Sequence, residues 1–149
     1  MIEIKRTLDV GSILSVLRDD DIFKAICEDG FSKEDFNPNV IEEYWVEFTL
    51  NNELLGVAQF KPLFSNCFDS HIHVLPEKRE HSIGIGKGLI NWCNENIPNS
   101  LLYTTVPESC QNVVRFLINF DFEQAGTLKK AFTKNGKHED LNILTRLLQ

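Results

Sequence analysis

No stretch of this sequence stays apolar for the roughly 20 residues that a bilayer-crossing helix needs. No membrane partner is therefore expected. Basic residues are in short supply: 15 Lys and Arg face 22 Asp and Glu, for a formal net charge of −7. A broad nucleic-acid-binding face works through a basic surface, so no nucleic-acid partner is expected either. Metal-binding spacings are missing as well. The four cysteines, Cys27, Cys67, Cys93 and Cys110, form no C-x-x-C pair and fit no zinc pattern. They read as free thiols in a reducing cytosol, with Cys110 in a loop where a nucleophile could act. Repeats, low-complexity tracts and linkers are absent, so residues 1–149 read as one domain. The opening "MIEIKRTLDV" has no apolar h-region and reads as a first strand, not a signal peptide.

What is present is core-forming. Apolar residues make up 42% of the chain, eleven of them phenylalanine, which suits a well-filled globular core. "LDVGSILSVLRDDDIFKAICEDG" carries Val10, Ile13, Leu14 and Leu17, then Ile22, Phe23 and Ile26, at helical spacing. Its acidic run, Asp19 to Asp21, marks a junction of two short helices with an aspartate as N-cap. "YWVEFTL" and "ELLGVAQFKPLF" flank Asn51-Asn52, a tight hairpin, because asparagine tolerates positive φ. "CFDSHIHVL" is a further strand. A helix follows with Ile85, Leu89, Trp92 and Cys93 on one face, then the strand "SLLYTTVP". "CQNVVRFLINF" sets Val113, Phe116, Leu117 and Phe120 on one stripe, and a hairpin turning at Asn135-Gly136 closes the chain. The order is β-α-α-β-β-β-α-β-α-β-β. It predicts an α/β (α+β) fold: a mixed, mostly antiparallel sheet of about six to seven strands with helices on both faces.

The stretch "REHSIGIGKGLINW" calls for its own account. Gly84, Gly86 and Gly88 sit at a helix start, where each costs about 1 kcal/mol relative to alanine. Two explanations are open. A helix N-terminus exposes unpaired N–H groups and the positive end of the dipole, and glycines let that backbone approach an anion closely. With Lys78, Arg79 and Lys87 nearby, the stretch then reads as a pyrophosphate cradle. Alternatively, the glycines pack the helix tightly on the sheet and the lysines are merely solvated. The stretch is not a P-loop, because Gly88 follows Lys87 where Ser or Thr should stand.

From "HIHVLPEKREHSIGIGKGLINW" onward the chain resembles the GNAT superfamily, the GCN5-related acetyl-CoA-dependent N-acetyltransferases. The residues that carry the resemblance are Val74-Leu75-Pro76 ending a strand, Arg79 three residues later, and "IGIGKGLI" at a helix start. Then come "TVPES" ending a strand, Asn112 opening a helix that ends near "FDFEQAG", and the hairpin "FTKNGKHEDLNILTRLL". The N-terminal part, "IFKAICEDGF" especially, looks most like GNAT-fold proteins of tailed bacteriophages. The resemblance implies acetyl-CoA as cosubstrate, with its pyrophosphate on the N–H groups of Ile83, Gly84, Ile85, Gly86 and Lys87 and near Arg79. Backbone groups of Ile72 and Val74 would pair with the pantetheine arm, and Asn112 would contact it. The strand around Val74 would splay from the strand holding Tyr103, admitting an amine that attacks the acetyl group directly.

The chain departs from the family at its acid–base positions. The place of the usual tyrosine holds Leu117 with Phe116 beside it, and the glycine of the usual Gly-Phe pair is Asp121. The glutamate that often acts as base before Val-x-Pro is missing. Substitutes on offer are Asp69, His71, His73 and Tyr103. His71 and His73 lie two apart on a strand and so share a face, where either could act as base or both could be plain strand histidines. Tyr103 could serve as thiolate acid or as core packing. Two functions remain in view. One is transfer of an acetyl group to a primary amine of a small molecule or protein, in the cytoplasm (a host's, if the chain is phage-encoded). The other is a non-catalytic phage protein acting through protein contacts, in virion assembly or host takeover. The acceptor is unnamed, and a homodimer or another protein partner stays open.

Overall fold

The computed structural model describes residues 1–149. The Asn51-Asn52 turn fixes the centre of its sheet. Both residues take the left-handed conformation, with φ of 51° and 65°, which matches the twist of the strands they join. Those strands are β2 (Tyr44–Leu50) and β3 (Glu53–Phe64), and β1 (Glu3–Arg6) pairs with the outer side of β2. β4 (Cys67–Val74) runs antiparallel to β3. On the far side stand β5 (Leu101–Pro107), β6 (Glu123–Lys134) and β7 (Lys137–Leu147). The last two are joined through Asn135 and Gly136, again at positive φ. One seven-stranded sheet results, in the order β1-β2-β3-β4-β5-β7-β6, antiparallel except where β4 meets β5. The element order and the antiparallel bias both match the expectation from sequence.

The helices are α1 (Val10–Leu17), α2 (Asp20–Ile26), α3 (Ser82–Asn96) and α4 (Gln111–Asn119). Asp9 caps α1 by accepting the Ser12 N–H, and Asp19 caps α2 by accepting those of Asp21 and Ile22. The acidic run is therefore capping chemistry. α1 and α2 cover one face of the sheet, burying Ile13, Val16, Leu17 and Ile22 against Trp45 and Val57. α3 and α4 cover the other, burying Ile85, Leu89, Trp92, Cys93, Val114 and Leu117 against Val46, Phe48, Ala58, Phe60 and Leu102. Each fully buried aliphatic or aromatic side chain contributes about 1.5–3 kcal/mol. The α4 stripe differs slightly from expectation. Val114 and Leu117 go deepest, while Val113, Phe116 and Phe120 are half-buried around them. Asp121 follows at φ 63°, a left-handed position that favours glycine.

Candidate functional site

β4 and β5 are joined by only three residue pairs: Cys67 with Leu101, Phe68 with Leu102, and Asp69 with Tyr103. β4 continues to Val74 and β5 to Pro107, yet nothing pairs them beyond that point. Parallel strands at the middle of a sheet thus open into a V. The Leu75 N–H donates to the Leu55 carbonyl on the β3 side. The β3–β4 register is unbroken up to that bond, so alternation along the strand aims the backbone groups of Ile72 and Val74 the other way, into the V. An unpaired strand edge is a template for another extended chain. On the α3–α4 side the V opens into an apolar cavity of about 260 Å³, walled by Ala58, Phe60, Ile72, Leu89, Val106 and Phe116 among others.

The opposite side of the V is polar. His71 lies across from Gln59, His73 across from Val57, and Asp69 across from Lys61. Register neighbours share a face, so both histidines and Asp69 look toward α1 and α2. The two imidazoles lie nearly parallel, centroids 6.4 Å apart. His71 Nε2 is 3.1 Å from Asp69 Oδ1. Burial first, and the charge of His71 second, push the His73 imidazole down to about 3. His73 is therefore neutral near pH 7 and weakly basic. A second cavity of about 370 Å³ lies here, lined by Phe36, Glu43, Trp45, Gln59, Lys61, His71 and His73 among others. The two cavities share Ile26, His71 and His73. The imidazoles therefore stand between the apolar and the polar space.

The remaining candidates scatter. Tyr103 is half-buried beside Asp69, at the point where the V begins, and lines neither cavity. Arg79 is exposed in a 3₁₀ turn over Pro76–His81, and Asn112 is exposed in the first turn of α4. Cys110 precedes α4 and lines the apolar cavity. No three His, Cys, Asp or Glu residues gather as a metal site, and no helix is long and apolar enough to cross a membrane.

The 3₁₀ turn runs straight into α3, and the Ser82 N–H is already donated to the Arg79 carbonyl. α-Helical pairing from Ser82 onward commits the N–H groups of Ile85, Gly86 and Lys87 to the helix itself. Of the five expected cradle donors, those of Ile83 and Gly84, both on exposed residues, lie in the first turn of α3. The glycines also sit in close packing. A Cβ on Gly86 would stand 2.4 Å from Phe120 Cζ, one on Gly88 2.8 Å from Ile4 Cγ1, and one on Gly84 3.0 Å from Ile2 Cδ1. They let α3 sit tightly on the β1 edge and on the end of α4.

This geometry matches solved structures throughout its length. A spermidine N-acetyltransferase from Vibrio cholerae, in complex with CoA and spermine, superposes with a TM-score of 0.80 at 12% identity, over 99% of this chain and 95% of that one. A ribosomal-protein-alanine N-acetyltransferase from Brucella melitensis gives 0.77 at 19%, over 98% and 99%. A GNAT-family acetyltransferase from Streptococcus pneumoniae gives 0.73 at 12%, over the whole of both chains. The chain has the GNAT fold. No protein-family model and no curated protein matches the sequence. Within the GNAT fold as built here, the sequence left one group unnoticed. Glu43, in the turn before β2, accepts hydrogen bonds from Trp45 Nε1 and Gln59 Nε2, both at 3.1 Å, and lines the polar cavity. No local pattern marks it, because its partners come from β2 and β3.

Proposed function

We propose that the protein is an acetyl-CoA-dependent N-acetyltransferase that acetylates a primary amine by direct attack. The observation that carries this is the open β4 edge, with Ile72 lining an apolar cavity on one side and His71 reaching a polar one on the other. The likeness of fold to N-acetyltransferases supports it. Acetyl-CoA would supply the activated acyl thioester. The Ile72 and Val74 backbone groups would bond its pantetheine arm, and the Val74 N–H would polarise the thioester carbonyl. The Ile83 and Gly84 N–H groups, with exposed Lys87 and Arg79, would meet its pyrophosphate.

The amine nitrogen bonds to the acetyl carbon as the carbon–sulfur bond breaks. His71, with Asp69 beside it, takes the ammonium proton, and the thiolate is protonated as it leaves. Tyr103, paired with Asp69 where the V begins, is the residue on offer for that second transfer. Positioning supplies much of the rate in such a site, so a missing α4 tyrosine does not preclude it. This reading places the protein in the cytoplasm, a host's if the phage resemblance of its N-terminal part reflects its source. Leu117 and Phe116, apolar where the family's tyrosine stands, favour the second reading, a GNAT-fold protein that works by protein contacts. Calorimetric titration with acetyl-CoA, followed by thiol release over a panel of amines, separates the two. Micromolar binding with thiol release is expected. No binding at millimolar acetyl-CoA overturns the enzyme reading, and binding without thiol release favours the second.

A further inference from the structure

We propose that Glu43 selects the acceptor: its carboxylate in the polar cavity holds a second positive charge, so the acceptor class is a small dication such as a short diamine. The inference rests on the acetyl-transfer reading for the role of the cavity, and on Glu43 itself for the chemistry. Glu43 Oε1 accepts from Trp45 Nε1, from Gln59 Nε2, and from the Asn39 N–H at 3.4 Å. All three donors are neutral. They orient the carboxylate without cancelling its charge, and Oε2 accepts nothing.

No cation of the chain does the cancelling. Glu43 takes part in no ion pair. The Arg6 guanidinium donates through Nη2 to the backbone carbonyls of Val40 and Glu43, not to the Glu43 carboxylate, and stacks over the Tyr44 ring. Lys61 lines the same cavity but stands opposite Asp69, one side chain beyond Gln59 on β3. A half-buried carboxylate left without a cation is a standing cost to the fold, which a bound cation would remove.

Gln59 also sets the spacing. It bonds Glu43 and sits across from His71 in the β3–β4 register. The carboxylate and the imidazole are therefore separated by the one side chain of Gln59. A chain of four or five carbons between two amines spans that gap. One amine rests on Glu43 while the other reaches His71 at the wall between the cavities.

The test is calorimetric titration of the protein with 1,4-diaminobutane and, separately, with n-butylamine, repeated on Glu43→Gln. The wild type is expected to bind the diamine at least tenfold more tightly than the monoamine, and Glu43→Gln is expected to bind the two alike. Equal affinities in the wild type, no binding of either amine, or a diamine preference that survives Glu43→Gln each overturn the proposal. The wild-type comparison stands even if the variant fails to fold. Thiol release from acetyl-CoA is scored separately. Glu43-dependent diamine binding without thiol release would sink the transfer reading and keep the site. Thiol release with monoamines and no diamine preference would do the reverse.

Discussion

His71 Nε2 stands 3.1 Å from Asp69 Oδ1, and that buried carboxylate oxygen accepts no aligned hydrogen bond from any group of the protein. The two are matched by charge and proximity: a proton taken up by the imidazole would sit beside a carboxylate that nothing else balances.

Replacing Asp69 with Asn is therefore expected to slow acetyl transfer at least tenfold. Acetyl-CoA affinity should hold, since the backbone edge at Ile72 and Val74 is untouched. Single-turnover rates and a parallel calorimetric titration check this. A variant with wild-type kcat would remove Asp69 and His71 from the reaction.

His73 makes the fold acid-sensitive. Its folded value of about 3 lies well below the ordinary histidine value of 6.5. The neutral form is the native one, so its contribution is fully present above pH 6.5 and is lost as pH falls toward about 3. Between pH 6.5 and pH 5 the wild type should lose about 2 kcal/mol on this account, before most carboxylates titrate. His73→Asn should flatten that limb in urea melts at the two pH values.

If Gly86 is a packing residue, Gly86→Ala should destabilise the fold, since the new Cβ meets the Phe120 ring at 2.4 Å. The clash should outweigh the gain in helix propensity and leave a net loss of about 1–2 kcal/mol. Combining it with Phe120→Leu should recover part of the loss. Thermal melts of the two single variants and the double decide it. An unchanged melting temperature for Gly86→Ala would reopen the anion-cradle explanation of this glycine.

Lys87 is exposed and makes no ion pair. Lys87→Glu should weaken acetyl-CoA binding severalfold at low salt, with the gap closing as ionic strength rises and the melting temperature unmoved. Equal affinities at low salt would place the pyrophosphate elsewhere.

Much of the fold is legible in the sequence because its signals are local. Asn51-Asn52 and Asn135-Gly136 declare their turns by tolerance of positive φ, and the helices declare themselves by apolar spacing and by a capping aspartate in the run from Asp19 to Asp21. The shared face of His71 and His73 follows from strand alternation alone. What is not legible depends on partners distant in sequence. Nothing near Gly86 names Phe120, and nothing near Gly88 names Ile4, so a tight helix contact and an anion cradle look alike in the chain. Glu43 is hidden for the same reason. Its neighbour Glu42 looks equivalent in sequence, and only the approach of Trp45 and Gln59 separates the two.

The three-pair junction between β4 and β5 also has a mechanical side. The sheet is two plates, β1–β4 and β5–β7, riveted at one end and free to flex at the other. A molecule that bonds to the β4 edge while packing against β5 acts as a keystone between them. Occupancy would then stiffen the whole protein, and slow amide exchange in β4 and β5 would report a filled cleft before any product is made.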